Sequence, residues 1–247
     1  MSDFDRNASL PWGSRVARAG AAEYDLGLRS YMLGIYNLMT VALGVTALVA
    51  MAIFMMGKTS PVVQALYMSP LKWVIMLAPL GFVFFLSLRF ERMSYSALLG
   101  TFLAFAATMG LSMGSIGFVF KVGSIVQALF ATTAAFGALS IYGYTTKRSL
   151  SGMGSFLVMG LFGLIIASVI NIFVGSGILG FAISLLGLLI FAGLTAWDTQ
   201  RLKQEYDVVA GSGELASKAS VMGALSLYLN FINMFQFILA LTGQREE

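Results

Sequence analysis

Long apolar runs separated by short polar clusters dominate the chain from residue 31 onward. Seven runs can be read, at roughly 31–56, 72–90, 95–115, 122–143, 154–174, 177–197 and 221–242. Each is long enough to cross a hydrocarbon core about 30 Å thick as a helix rising about 1.5 Å per residue. A membrane barrel would instead show alternating segments of about ten residues. The pattern predicts an all-α integral membrane protein, a seven-transmembrane-helix bundle over residues 31–243. Residues 1–30 hold four arginines and four acids with Pro11 and no continuous apolar stretch, so they read as a partly disordered tail rather than a signal peptide. The longest connection is expected at about 198–220, around Gly211-Ser212-Gly213.

Composition agrees with a lipid solvent. Of 247 residues, 58% are hydrophobic and 11% charged, where a soluble domain carries about a quarter charged residues. Lysines and arginines favour one side of the predicted membrane by eleven to four, which assigns the N-terminus to the cytoplasm and the C-terminus to the outside. They are scattered between apolar runs rather than gathered in a stripe, which argues against nucleic acid as a partner.

The chain has no cysteine and no histidine. Disulfides, zinc sites with N or S ligands and imidazole bases are therefore excluded. A retinal lysine in the last span is missing, and so is a second membrane aspartate for aspartyl proteolysis. The expectation is a protein that is not an enzyme, with no resident metal and no cofactor.

Small residues recur at helix-packing spacing: Gly110 with Gly114, Ala131 with Ala135, Ala134 with Ala138, and Gly180 with Gly187. In lipid such spacing marks close helix approach. Pro79 is expected to kink the second span by removing a backbone hydrogen bond.

Ten of the eleven acids fall in the tail, in connections or at the chain end; only Asp198, in LTAWDTQRLK, stands at a membrane border. An ionisable group there is a functional candidate. It could equally end the helix in the headgroup layer, paired with Arg201 or Lys203. The last span carries Ser226, Asn230 and Asn233 on one helical face, with Gln236 on its flank. Amides in lipid need partners, so this face is expected to look inward, as interhelical adhesive or as the lining of a polar path.

Three stretches, SIYGYTTKRSLSGMG (140–154), GLTAWDTQRLKQ (193–204) and GALSLYLNFINMF (223–235), resemble the Bax-inhibitor family in its bacterial branch. The resemblance extends over about 28–243. It implies a bundle with the last helix near its centre, in the bacterial inner membrane. It also implies a pH-sensitive leak for calcium or other cations, closed from the cytoplasmic side by two hydrogen-bonded aspartates. Asp198 matches the first; the second position holds Asn230. An arginine of the second span is associated with the latch, for which Arg89 is the loose counterpart. With one carboxylate in place of a coupled pair, acid gating is expected to be weaker and moved to lower pH, with less attraction for Ca²⁺. The alternative is a non-conducting regulator that binds other membrane proteins or quality-control machinery, favoured by the loss of the second acid. A geometric tension accompanies this reading. Asn230 lies about nine residues into its predicted helix, roughly 14 Å, whereas Asp198 stands at the apolar boundary.

Overall fold

The computed structural model describes residues 11–246, with side chains described from residue 23. The elements are α1 (Pro11–Met56), α2 (Pro61–Met68), α3 (Leu71–Arg89), α4 (Tyr95–Met113), α5 (Val122–Thr145), α6 (Ser151–Val174), α7 (Gly177–Val209) and α8 (Gly213–Thr242). Short 3₁₀ turns follow α3 and α4. Seven of these helices, all but α2, are long and apolar enough to cross a membrane. Of the tail expected at 1–30, residues 1–10 lie outside the described residues, and residues 11–30 continue the first span as helix within α1.

Burial identifies the centre. In α8, 61% of the most apolar stretch is buried, against 6% in α6 and 11% in α3. α8 packs on α1, α4, α5 and α7, while α6 leans chiefly on α7 and α3 on α4. The outer helices therefore present apolar side chains to lipid, where exposure carries no hydrophobic cost.

Close packing depends on glycine at a few points. A side chain at Gly110 would collide with the Thr46 carbonyl and Val49, and one at Gly114 with Ile53, so α4 can lie directly on α1. At Gly187 the ring of Phe237 takes the place a Cβ would occupy. Ala131, Ala134 and Ala138 are exposed instead, while Ala135 packs against the core.

A neutral polar staple ties three helices. Thr46 Oγ1 of α1 lies 3.0 Å from the Ala42 carbonyl and 2.9 Å from the Ala106 carbonyl of α4, and 2.6 Å from the Tyr228 hydroxyl of α8. A threonine has one hydroxyl proton and carbonyls only accept. The proton of Thr46 is thus spent on the carbonyls, and Tyr228 donates to Thr46. The Tyr228 ring is fully buried, edge-on to Phe102 and Phe105.

The structure corrects the connection expected at 198–220. α7 continues to Val209, the turn is Ala210–Ser212, and α8 starts at Gly213, with Ser212 Oγ accepting from the Leu215 amide. The 33 residues of α7 span about 50 Å, well beyond a hydrocarbon core. The sequence after Asp198 is polar yet helical because its inner face is still covered: Leu202 and Val209 are buried, and the Tyr206 ring packs at a tilt, its centre 5.4 Å from those of both Tyr24 and Tyr31 of α1. Tyr24 also donates to Asp207. Hydropathy marks where lipid contact ends; here three helices continue past that point as a packed extension.

Candidate functional site

That extension resolves the depth mismatch between Asp198 and Asn230. Because α7 and α8 both run far past the apolar boundary before turning, the two residues stand side by side in the hairpin. Asn230 Nδ2 donates to Asp198 Oδ2 at 2.7 Å. Both residues are buried, at 4% and 6% exposure.

The other carboxylate oxygen is held by an arginine. Arg201 Nε and Nη2 donate to Asp198 Oδ1 at 3.1 and 2.7 Å. Arg201 lies one helical turn beyond Asp198, the spacing at which helix side chains meet. Its Nη2 also reaches Ser226 Oγ at 3.3 Å, and its guanidinium lies 5.3 Å from the Trp197 ring centre. The Arg201 side chain is 43% exposed and that of Asp198 9%. One buried carboxylate thus receives three charge-assisted bonds, roughly twice as strong each as neutral ones. Glu205, half-buried two turns further along α7, lies within electrostatic reach of both Asp198 and Arg201.

Neighbouring residues explain why the three resembling stretches occur together. Gly143 of α5 abuts the Ala196 carbonyl and Gly154 of α6 abuts the Trp197 ring, where any side chain would collide. Gln200 is buried and spans the α5–α6 turn, accepting from the Leu150 amide and donating to the Arg148 carbonyl, both at 2.8 Å. Lys203 Nζ donates to the Tyr144 carbonyl at 3.1 Å, at the end of α5 where free carbonyls favour a cation. The first stretch supplies two glycine sockets and a turn; the second supplies the residues that fill them. Gly223 of the third stretch lies against Leu202 and Ile35.

The remaining predicted positions separate. Asn233 is half-buried and donates to the Leu229 carbonyl of its own helix at 2.8 Å. Gln236 is exposed, so the inward-facing polar stripe expected on the last span stops at Asn230. Beyond it, Met234 and Ile238 are buried apolar residues. Arg89 is exposed at the end of α3 and makes no ion pair among the described residues; the guanidinium beside Asp198 comes from Arg201. Arg201 was legible only as an ordinary helix-end partner. Gln200 stood in the second resembling stretch, but its role was not legible, because a side chain bonded to a remote backbone has no spacing rule. Among the described residues no three acidic side chains converge, so the site offers one carboxylate and the carbonyl oxygen of Asn230.

A family model described as "Inhibitor of apoptosis-promoting Bax1" matches residues 28–247. An uncharacterized protein, RP147, of Rickettsia prowazekii is 40% identical over 91% of this chain and 93% of its own length. An uncharacterized Caulobacter vibrioides protein is 38% identical over the full length of both. The inner membrane protein YbhL of Escherichia coli is 38% identical over 89% of this chain and 93% of its own.

Proposed function

This chain belongs to the Bax inhibitor family and is a multi-pass bacterial inner membrane protein, and on that footing we propose that it is a pH-sensitive leak for calcium or other cations, latched by Asp198. The observation that carries this reading is the bond from Asn230 to Asp198, which joins α7 to the central helix through one buried carboxylate. While Asp198 is charged, Arg201 and Asn230 hold both its oxygens. A proton removes the charge that Arg201 pairs with. The bonds fall to the strength of neutral ones, and Arg201 is released toward solvent. Acid therefore loosens α7 from α8 at the end that the charge bias assigns to the cytoplasm. With an amide at residue 230 the carboxylate pair is not formed, and the second carboxylate within reach of Asp198 is Glu205, two turns along α7, so the response to acid is expected to be weaker than that of a coupled pair. The ion crosses as cargo and no cofactor or catalysis is involved.

A second reading, a non-conducting regulator of other membrane proteins, has one observation in its favour: the polar stripe ends at Asn230, below buried Met234 and Ile238. Calcium flux into dye-loaded proteoliposomes between about pH 5 and pH 8 separates the two. The leak reading expects flux that rises gently on acidification, more steeply in Asn230→Asp, and without pH dependence in Asp198→Asn. Superimposable wild-type and Asn230→Asp profiles would remove the single-carboxylate latch. No flux at any pH in wild type and Asp198→Asn would overturn the leak and favour the regulator.

A further inference from the structure

Between α1 and α5, with Phe231, Ile232 and Phe235 of α8 as its floor, a groove of about 1230 Å³ opens sideways toward lipid. It runs from Arg29 to Phe54 along α1, about 37 Å at helical rise. Its walls are almost wholly apolar, and its two ends differ. One mouth carries Arg29, Tyr36 and Tyr144. Lys203 Nζ stands 4.8 Å over the Tyr144 ring, which adds a second cation behind that wall. The other mouth ends in Phe54, Gly117 and Val122; the two lysines near it are engaged, Lys121 with the Gln244 side chain and Lys58 with Glu246. Arg29 is exposed and pairs with no carboxylate among the described residues; Asp25, one turn away, makes no ion pair with it.

We infer that this groove is a binding site for one anionic phospholipid of the leaflet on the Arg29 side, with its phosphodiester at Arg29 and its acyl chains along α1 and α5. Charge complementarity selects this occupant. A basic mouth between transmembrane helices is the arrangement that binds anionic headgroups, each nearby cation contributing about 1 kcal/mol. A transmembrane helix from a partner would lie along both ends and has no use for a lone guanidinium at one of them. The interior suits flexible chains: nothing lies within 4 Å of where a Cβ would stand at Gly44 or Gly137, so the space beside both is open. Ser140, on the α5 wall, has a buried hydroxyl with no partner among the described residues.

Those two glycines supply the test, because a side chain at either starts in open space beside the groove. Native mass spectrometry of the purified chain in detergent is read with added dioleoylphosphatidylglycerol or dioleoylphosphatidylcholine. The expected result is one phosphatidylglycerol per chain, bound about tenfold more tightly than phosphatidylcholine, and a preference cut about fivefold by Arg29→Gln. Gly44→Phe and Gly137→Phe are expected to lose the adduct while keeping the wild-type melting temperature in detergent without added lipid. Equal affinity for the two lipids, or an adduct that survives both plugs, overturns the site. So does a dimer peak that either plug dissolves, since the groove would then seat a second copy.

Discussion

The central helix α8 carries two buried polar clusters two residues apart, and they behave differently. Tyr228 and Asn230 differ by about 200° around the helix, so one faces α1 and α4 and the other α7. At Tyr228 a phenol, a hydroxyl and two carbonyls close a neutral network. Nothing in it ionises near neutral pH, so its strength is the same in acid. At Asn230 a buried carboxylate is held by an amide and a guanidinium, and one proton changes every bond. The bundle therefore has one neutral joint and one charged joint, and the proposed latch puts the effect of acid at the second. The chemical difference lies in a single carboxylate, which the neutral joint lacks.

The comparison breaks most severely at the neutral joint. Tyr228→Ala removes a fully buried ring from between Phe102 and Phe105, a loss of about 3–5 kcal/mol. Melting in detergent should fall by the same amount at neutral and acidic pH. A loss that vanished in acid would show that the two joints are coupled.

The second test sharpens the contrast. Arg201→Gln leaves Asp198 Oδ1 without its charged donors, which should cost about 1–2 kcal/mol given the half-exposed guanidinium. The sign follows from the proposed latch: Arg201 pairs with the Asp198 charge, so the deficit is expected to be larger at neutral pH than in acid. Tyr228→Phe is the control, losing about 0.6 kcal/mol at every pH, because Thr46 keeps its carbonyl partners. Melting curves of both variants at two pH values decide it, and a pH-independent Arg201→Gln loss counts against the latch.

Much of this was legible because lipid leaves few choices to a chain. Runs of apolar residues mark spans, and a lone acid among them stands out; the seven spans and Asp198 follow from that. Hydropathy reports contact with lipid and is silent on where a helix ends, so the run of α7 past residue 197 and the start of α8 before residue 221 were hidden, and the Asp198–Asn230 pairing came from the resemblance alone and not from the apolar pattern. Small-residue spacing marks close approach without naming the partner: Gly110 and Gly114 meet α1, whereas Ala134 and Ala138 are exposed. Arg89 and Arg201 are alike as letters, and only the packing of α7 on α8 brings one of them to the carboxylate.

The smallest expected effect is at Gln236, and it bears on whether a polar path continues beyond Asn230. Its side chain is exposed on α8, so an amide there finds water, a headgroup or nothing. Gln236→Leu should shift stability by no more than about 0.5 kcal/mol, as outward substitutions do, and leave calcium flux unchanged. The same is not expected of Asn230→Leu, which deprives Asp198 Oδ2 of its donor. Flux altered by Gln236→Leu would mean that this face turns inward when the α7–α8 joint opens. Gln236 would then be part of the path, and α8 would rotate rather than separate.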